Sequence, residues 1–330
     1  MTPALELELL DLRHFSAASL RSLLDAEASV WSERLEWDYR ASARLLLQYL
    51  DSRVLPGYVA LESGRVSGYV FCVYEERKAV IGDVFALQPQ TPDTTAADIE
   101  DRLLSSLIEL LKNSPGVERI ESQLLLHPHG LHAGVFEAAG FEVHKRLFMR
   151  REMAVPTPQP PQPARPRPVL EDLELRAWRE DDFNAAAQLI SAAYAGHTDS
   201  HINDQYRSAA GSLRFLHNIV RFPGCGVFDP QASRVLARRD SRELAGALLC
   251  SRVRDDVAHI TQICVAKERR RQGLGRLLIE DCAAGLAIKN YRALTLTVTE
   301  ANTDAVALYL LAGFETRHCF DAMLWEKHRS

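Results

Sequence analysis

What this sequence lacks narrows its class before any motif is read. No uninterrupted apolar run approaches the ~18 residues of a bilayer-spanning helix. The opening "MTPALELELLDLR" has no basic segment leading into an apolar one. No membrane association is expected, and a cytoplasmic location is the default expectation. A surplus of positive charge is also missing, since 39 Lys and Arg stand against 44 Asp and Glu for a formal net charge of −5. Binding a nucleic-acid backbone generally needs the opposite balance, so no nucleic-acid partner is expected. The six cysteines (Cys72, Cys225, Cys250, Cys264, Cys282, Cys319) include no C-x-x-C pair and read as free, mostly buried thiols. Both standard glycine fingerprints for nucleotides, G-x-x-x-x-G-K-[ST] and G-x-G-x-x-G, are absent from the one glycine-bearing basic loop.

What is present suggests two domains. The length of 330 residues exceeds one typical core. In "VPTPQPPQPARPRPV", seven of the fifteen prolines fall between Pro156 and Pro168, a composition that favours extended spacer geometry and builds no core. The expected division is residues 1–153, a linker at 154–169, and residues 170–330. On either side the same order of elements recurs: a strand, a helix, a hairpin, a strand, a helix, a strand, a short helix and a closing "AGFE". Laying Gly140-Phe141-Glu142 on Gly313-Phe314-Glu315 also lays Ile120–Leu125 on Ala293–Val298 without a gap, and hairpin glycines Gly68 and Gly246 correspond. Strands alternating with helices but including hairpins predict an α/β (α+β) fold, each copy a mixed, mostly antiparallel sheet with helices on both faces.

The chemistry concentrates in "KERRRQGLGRLLIEDC", Lys267 to Cys282. A strand ending in "HITQICV", a short loop and a helix starting near Gly275 direct unpaired N–H groups and a positive helix end at one point, where a phosphate is the natural occupant. On these residues alone a charged turn before a helix is an equal reading.

Arg270-x-x-Gly273-x-Gly275 resembles the [RQ]-x-x-G-x-[GA] signature of the GNAT acetyltransferase superfamily. "ALTLTVTEANTDAVALYLLAGFE" is similar to its second motif, with Asn302, Tyr309 and Gly313-Phe314 in the matching places. The resemblance spans roughly residues 170–330. It implies that Arg270, Arg271, Gln272, Gly273, Leu274, Gly275 and Arg276 hold the pyrophosphate of acetyl-coenzyme A. By the same resemblance Ile263, Cys264, Val265 and Asn302 meet the rest of the cofactor, and Tyr309 protonates the leaving thiolate. A tyrosine in an amphipathic helix can also simply pack at the core edge. His259 lies eleven residues before Arg270, where the histone-acetylating branch carries a Glu base, and an imidazole can accept a proton there or be a satisfied surface group. Cys264 is expected to be a small apolar side chain rather than an acetyl carrier. In a regular strand Gln262 and Cys264 share one face and His259 and Ile263 the other, an assignment that a bulge would upset. "AGHTDSHINDQYRS" offers His197, Asp199, His201, Asp204 and Tyr206 to an acceptor, or is a solvated loop.

In the first copy the loop is replaced by "QPQTPDTTAADIED", glycine-free and acidic at Asp93, Asp98, Glu100 and Asp101, and Phe136 and His129 stand where Tyr309 and Asn302 stand. A degenerate copy that binds no cofactor is expected. "HPHGLH" brings His127, His129 and His132 together, but with no cysteine or acidic partner close in sequence no metal is expected. The functional expectation is an acetyl-CoA-dependent N-acetyltransferase acting on a primary amine of a small molecule or peptide by direct attack on the thioester. The alternative is a non-catalytic, regulatory acyl-CoA-binding protein.

Overall fold

A computed structural model describes residues 7–89, 94–153, 171–221, 224, 226–241 and 243–327. The proline-rich stretch, Asp93 and Cys225 lie outside the described residues. In order, the elements are β1 (Leu7–Asp11), α1 (Ala17–Leu35), α2 (Arg40–Asp51), β2 (Gly57–Glu62), β3 (Arg65–Glu75), β4 (Lys78–Ala86), α3 (Ala96–Asn113), β5 (Arg119–Gln123), α4 (Ala133–Ala138) and β6 (Glu142–Glu152). There follow β7 (Leu173–Ala177), α5 (Phe183–Tyr194), α6 (Thr198–Ile202), α7 (Ala209–Arg221), β8 (Val227–Phe228), β9 (Arg234–Arg238), β10 (Leu244–Arg254), β11 (Val257–Val265), α8 (Leu274–Ile288), β12 (Ala293–Thr299), α9 (Thr303–Leu311) and β13 (Glu315–Glu326).

Two compact units form, residues 1–146 with 319–330 as unit 1 and residues 147–318 as unit 2. The division therefore falls within β6 and β13, not at the proline-rich stretch where the sequence suggested it. The reason lies in strand pairing. The last strand of the chain, not β6, closes unit 1, with Ala322 to Glu326 antiparallel to Gln123 to Arg119 of β5. Unit 2 takes the second half of β6, just past which Met153 N–H donates to the Arg292 carbonyl at 2.8 Å.

Each unit is a mostly antiparallel sheet with one parallel step. Strand order is β1, β2, β3, β4, β5, β13 in unit 1 and β6, β12, β11, β10, β9, β7 in unit 2; the parallel steps are β4 to β5 and β11 to β12. Helices cover both faces. Buried neighbours on one strand point oppositely: Val70 packs into the cluster under α3, while the Tyr69 hydroxyl reaches Glu27 of α1 at 2.7 Å.

The duplication is legible in the buried side chains. On α3 the apolar ones are Ile99, Leu103, Leu104, Leu107, Ile108 and Leu111; on α8, Leu274, Leu278, Ile279, Cys282, Ala283 and Leu286. The spacing i, i+4, i+5, i+8, i+9, i+12 is the same, one helical face repeated. Gly140 and Gly313 end α4 and α9 alike, at φ 80° and 83°, and each delivers a phenylalanine against the preceding helix. Ring centroids are 5.1 Å apart for Phe136–Phe141 and 6.0 Å for Tyr309–Phe314.

Candidate active site

In unit 2 the parallel strands β11 and β12 pair over Val257–Ile260 and Ala293–Leu296, and then part, although β11 runs on to Val265 and β12 to Thr299. Ala266 N–H donates to the Ala245 carbonyl on the β10 side at 2.9 Å. Alternation along the strand therefore turns the N–H groups of Val265 and Ile263 toward the opened edge. At the end of this opening lies the helix start. Gly273 caps α8 at φ 79°, a left-handed conformation that costs a side-chain-bearing residue ~1–2 kcal/mol. It offers no side chain to the first-turn N–H groups, whereas Thr95 caps α3 and Asn302 caps α9. Open strand edge and uncapped helix start together form a cleft rich in backbone donors, suited to an extended anionic ligand.

The residues singled out in the loop separate into different jobs. Leu274 is buried, while Arg271, Gln272, Gly273 and Arg276 are exposed. Arg269 pairs with Asp172, Arg270 donates to the Ala193 carbonyl at 2.8 Å, and Arg271 pairs with Asp304 at 2.7 Å. A Cβ on Gly275 would lie 3.1 Å from Leu308 of α9, so this glycine lets the two helices approach closely. The Asn302 side chain accepts from Ala305 N–H at 3.3 Å as the α9 cap.

β11 carries a bulge: Leu249 of β10 opposes Gln262, but Cys250 opposes Ile260, leaving Thr261 extra. The regular-strand assignment of faces therefore fails. Ser251 opposes His259, and because the bulge consumes one residue, His259 shares a face with Gln262 and Cys264. His259 is buried, stacked 6.2 Å from the Phe148 ring at 14°, with Nδ1 2.9 Å from Thr295 Oγ1. Thr295 Oγ1 donates to the Ala258 carbonyl at 3.1 Å, so it accepts from His259 Nδ1–H and leaves Nε2 as the basic nitrogen. Burial pushes the Cys264 thiol up to about 12, which keeps it protonated and non-nucleophilic.

Tyr194, which the sequence reading missed, lies at the opened edge of β11. Its hydroxyl donates to the Ile263 carbonyl at 3.4 Å, and its ring stacks on Tyr206 at 4.6 Å and meets His197 edge-on at 5.4 Å. Burial first, then Tyr206, Asp199, Cys264 and Tyr309 around it, hold its pKa well above the ordinary phenol value, so it remains a donor. Thr299, at the end of β12, donates to Asp199 at 2.5 Å. Of the acceptor-segment residues, His197, Asp199 and Tyr206 thus gather beside Tyr194. The His201 carbonyl accepts from Arg207, and Asp204 opens a short 3-10 turn at 204–207. A tyrosine closing α5 just before a polar segment was the signal available for Tyr194.

Residues 175–314 match the family model described as "Acetyltransferase (GNAT) family". This part of the chain is a GNAT domain. Solved structures of similar fold extend over nearly the whole chain. The GCN5-related N-acetyltransferase of Sphaerobacter thermophilus is 16% identical with TM-score 0.64, over 98% of this chain and 97% of that one. A tandem GNAT protein from the clavulanic acid biosynthesis pathway is 15% identical with TM-score 0.55, over 98% and 100%. A fungal GCN5-related glucosamine N-acetyltransferase region is 13% identical with TM-score 0.61, over 98% of this chain and 38% of its multi-domain parent. At these identities the likeness is one of fold, and it makes unit 1 a second GNAT-like fold.

In unit 1 the cleft is filled from within. Leu87 N–H donates to Ser67 across the sheet at 2.7 Å, as Ala266 does to Ala245, so Ala86 corresponds to Val265. The N–H of Ala86 is taken by Glu100 Oε1 at 3.0 Å, and the Val84 carbonyl by His127 Nε2 at 2.9 Å. On the matched helices Glu100 holds the place of Gly275. Among the described residues no helix is long and apolar enough to cross a membrane.

Proposed function

We propose that the GNAT domain of unit 2 transfers an acetyl group from acetyl-coenzyme A to a primary amine, and that unit 1 binds no coenzyme A. The observation that carries this reading is the opened edge of β11 beside the uncapped start of α8. The pyrophosphate sits on the Arg270–Arg276 loop, and the thioester carbonyl accepts from the edge N–H groups at Ile263 and Val265, donors best placed for the tetrahedral oxyanion. The amine lone pair attacks the carbonyl carbon. A C–N bond forms and the C–S bond breaks. Tyr309 supplies a proton to the departing thiolate, and His259 Nε2 accepts the amine's proton, directly or through a water. Cys264 takes no part, because its thiol stays protonated. Asp199, His197, Tyr194 and Tyr206 form the acceptor side, whose one carboxylate favours a cationic amine.

The test couples calorimetric coenzyme A binding with thiol release from acetyl-coenzyme A across amine classes. The parent is expected to bind the cofactor and respond to at least one class. Gly273→Val, which places a branched side chain at φ 79°, is expected to lose affinity by about tenfold or more, equivalent to ~1.4 kcal/mol. A parent that binds no coenzyme A overturns the reading. Binding without thiol release from any amine leaves a sensor of acyl-coenzyme A instead.

A further inference from the structure

We infer that Glu100, His127 and His132 of unit 1 bind one zinc-type divalent cation. Three inner atoms converge on a point: His132 Nε2 lies 3.3 Å from Glu100 Oε2 and 3.3 Å from His127 Nδ1, and His127 Nδ1 lies 3.7 Å from Glu100 Oε2. An ion making tetrahedral bonds of about 2.0–2.1 Å to imidazole nitrogen and carboxylate oxygen holds its ligand atoms roughly 3.3 Å apart. The spacing is that of a metal's ligand shell.

The outer atoms are held as a metal site requires. His127 Nε2–H donates to the Val84 carbonyl at 2.9 Å, His132 Nδ1–H to Asp101 Oδ1 at 2.7 Å, and Glu100 Oε1 accepts from Ala86 N–H at 3.0 Å. Each partner fixes a tautomer or a rotamer and turns a lone pair inward. With both outer imidazole protons committed, two nitrogen lone pairs and a carboxylate oxygen face one another. All three residues are buried, at 7%, 3% and 4% exposure for His127, His132 and Glu100. Lone pairs so enclosed need a cation between them, either a metal ion or an added proton on His132. Two histidines and one carboxylate with tetrahedral spacing select zinc or a near neighbour, with a water in the fourth position.

In sequence no acidic partner lies near the "HPHGLH" histidines, so no metal is expected there; the fold supplies Glu100 from α3. Unit 2 has no counterpart. Its residues at the matching places are Gly275, Glu300 and Ala305, so the ion belongs to the copy whose cleft is closed. There it ties the first turns of α3 to the segment between β5 and α4.

The experiment uses the full chain without an affinity tag, dialysed free of metal and titrated with Co²⁺ and then Zn²⁺. One equivalent of Co²⁺ per chain with the strong visible bands of a tetrahedral nitrogen and oxygen site is expected. Zn²⁺ should displace it and raise the melting temperature. Glu100→Gln, nearly isosteric, and His132→Asn should lose the bands and the thermal shift. A measurement independent of variants is the ¹⁵N shift of His127 Nδ1 and His132 Nε2 in the parent, which should move on adding Zn²⁺ while their outer nitrogens keep their hydrogen bonds. A parent with no saturable one-equivalent site, or with imidazole shifts that report only a shared proton, overturns the inference. So does undiminished binding in folded Glu100→Gln and His132→Asn, which places the ion elsewhere.

Discussion

Replacing Tyr309 by phenylalanine removes one hydroxyl and leaves the ring, and the chain contains its own control for that change. In unit 1 a phenylalanine occupies the same place: Phe136 packs against Phe141 at 5.1 Å much as Tyr309 packs against Phe314 at 6.0 Å. The packing role of Tyr309 therefore survives the substitution. A lost hydrogen bond costs about 1 kcal/mol, a shift of roughly 2–4 °C in a unit of this size. The chemical role does not survive. If the phenol protonates the thiolate, kcat should fall about 10²- to 10⁴-fold, which is roughly 3–5.5 kcal/mol of barrier, with coenzyme A affinity unchanged. Steady-state thiol release at saturating amine, calorimetric cofactor binding and a melting curve separate the two roles. A variant within threefold of the parent kcat refutes the acid role. A loss of affinity that accounts for the whole loss of kcat/KM assigns Tyr309 to binding instead.

Two further outcomes follow from groups outside the reacting centre. Burial raises the Glu27 carboxyl from 4.5 to about 7, so folded unit 1 retains a proton that the unfolded chain releases above pH 4.5. The contribution of this proton, shared with the coupled Asp83 carboxyl that burial also raises, is fully present below pH 4.5 and is lost as pH rises through about 7. Urea midpoints at pH 5 and 8 should show that fall in the parent and a flatter profile in Glu27→Gln; a parent midpoint that rises with pH contradicts the sign. Asn302→Ala should cost about 1 kcal/mol through the lost α9 cap, while Asn302→Asp, which can still cap, stays near the parent. Coenzyme A affinity should hold in both, and a tenfold loss in the aspartate variant would return Asn302 to the cofactor.

The geometry of the loop before α8 was legible because its elements are local: a strand, a glycine in a left-handed turn and a helix follow one another within a few residues. The duplication was legible for a related reason, since buried positions such as Leu103 and Leu278 recur in a fixed helical rhythm. Long-range facts were hidden. The face of His259 depends on one extra residue at Thr261, which periodicity alone does not reveal. The chemistry around His127 and His132 depends on Glu100, some thirty residues away in sequence and brought in by helix packing. Tyr194 carried no motif, and only the parting of β11 from β12 makes its hydroxyl a neighbour of the Ile263 carbonyl. The proline-rich stretch misled for a plainer reason. Composition does not reveal which strand closes which sheet.

The strand that completes unit 1 is made long after the strand it pairs with. The ribosome finishes β5 and must then synthesise everything from Gln123 to Cys319, which at about 5–20 residues per second takes roughly 10–40 s. Throughout that interval the edge of β5 that will receive β13 has no covalently attached partner available. The copy encoded first is therefore the copy completed last, its free edge needing protection during translation. Unit 2, by contrast, has all of its own strands in hand once residue 318 emerges. A gene cut at the proline-rich stretch would leave the first half without its closing strand, however neatly the cut divides the sequence.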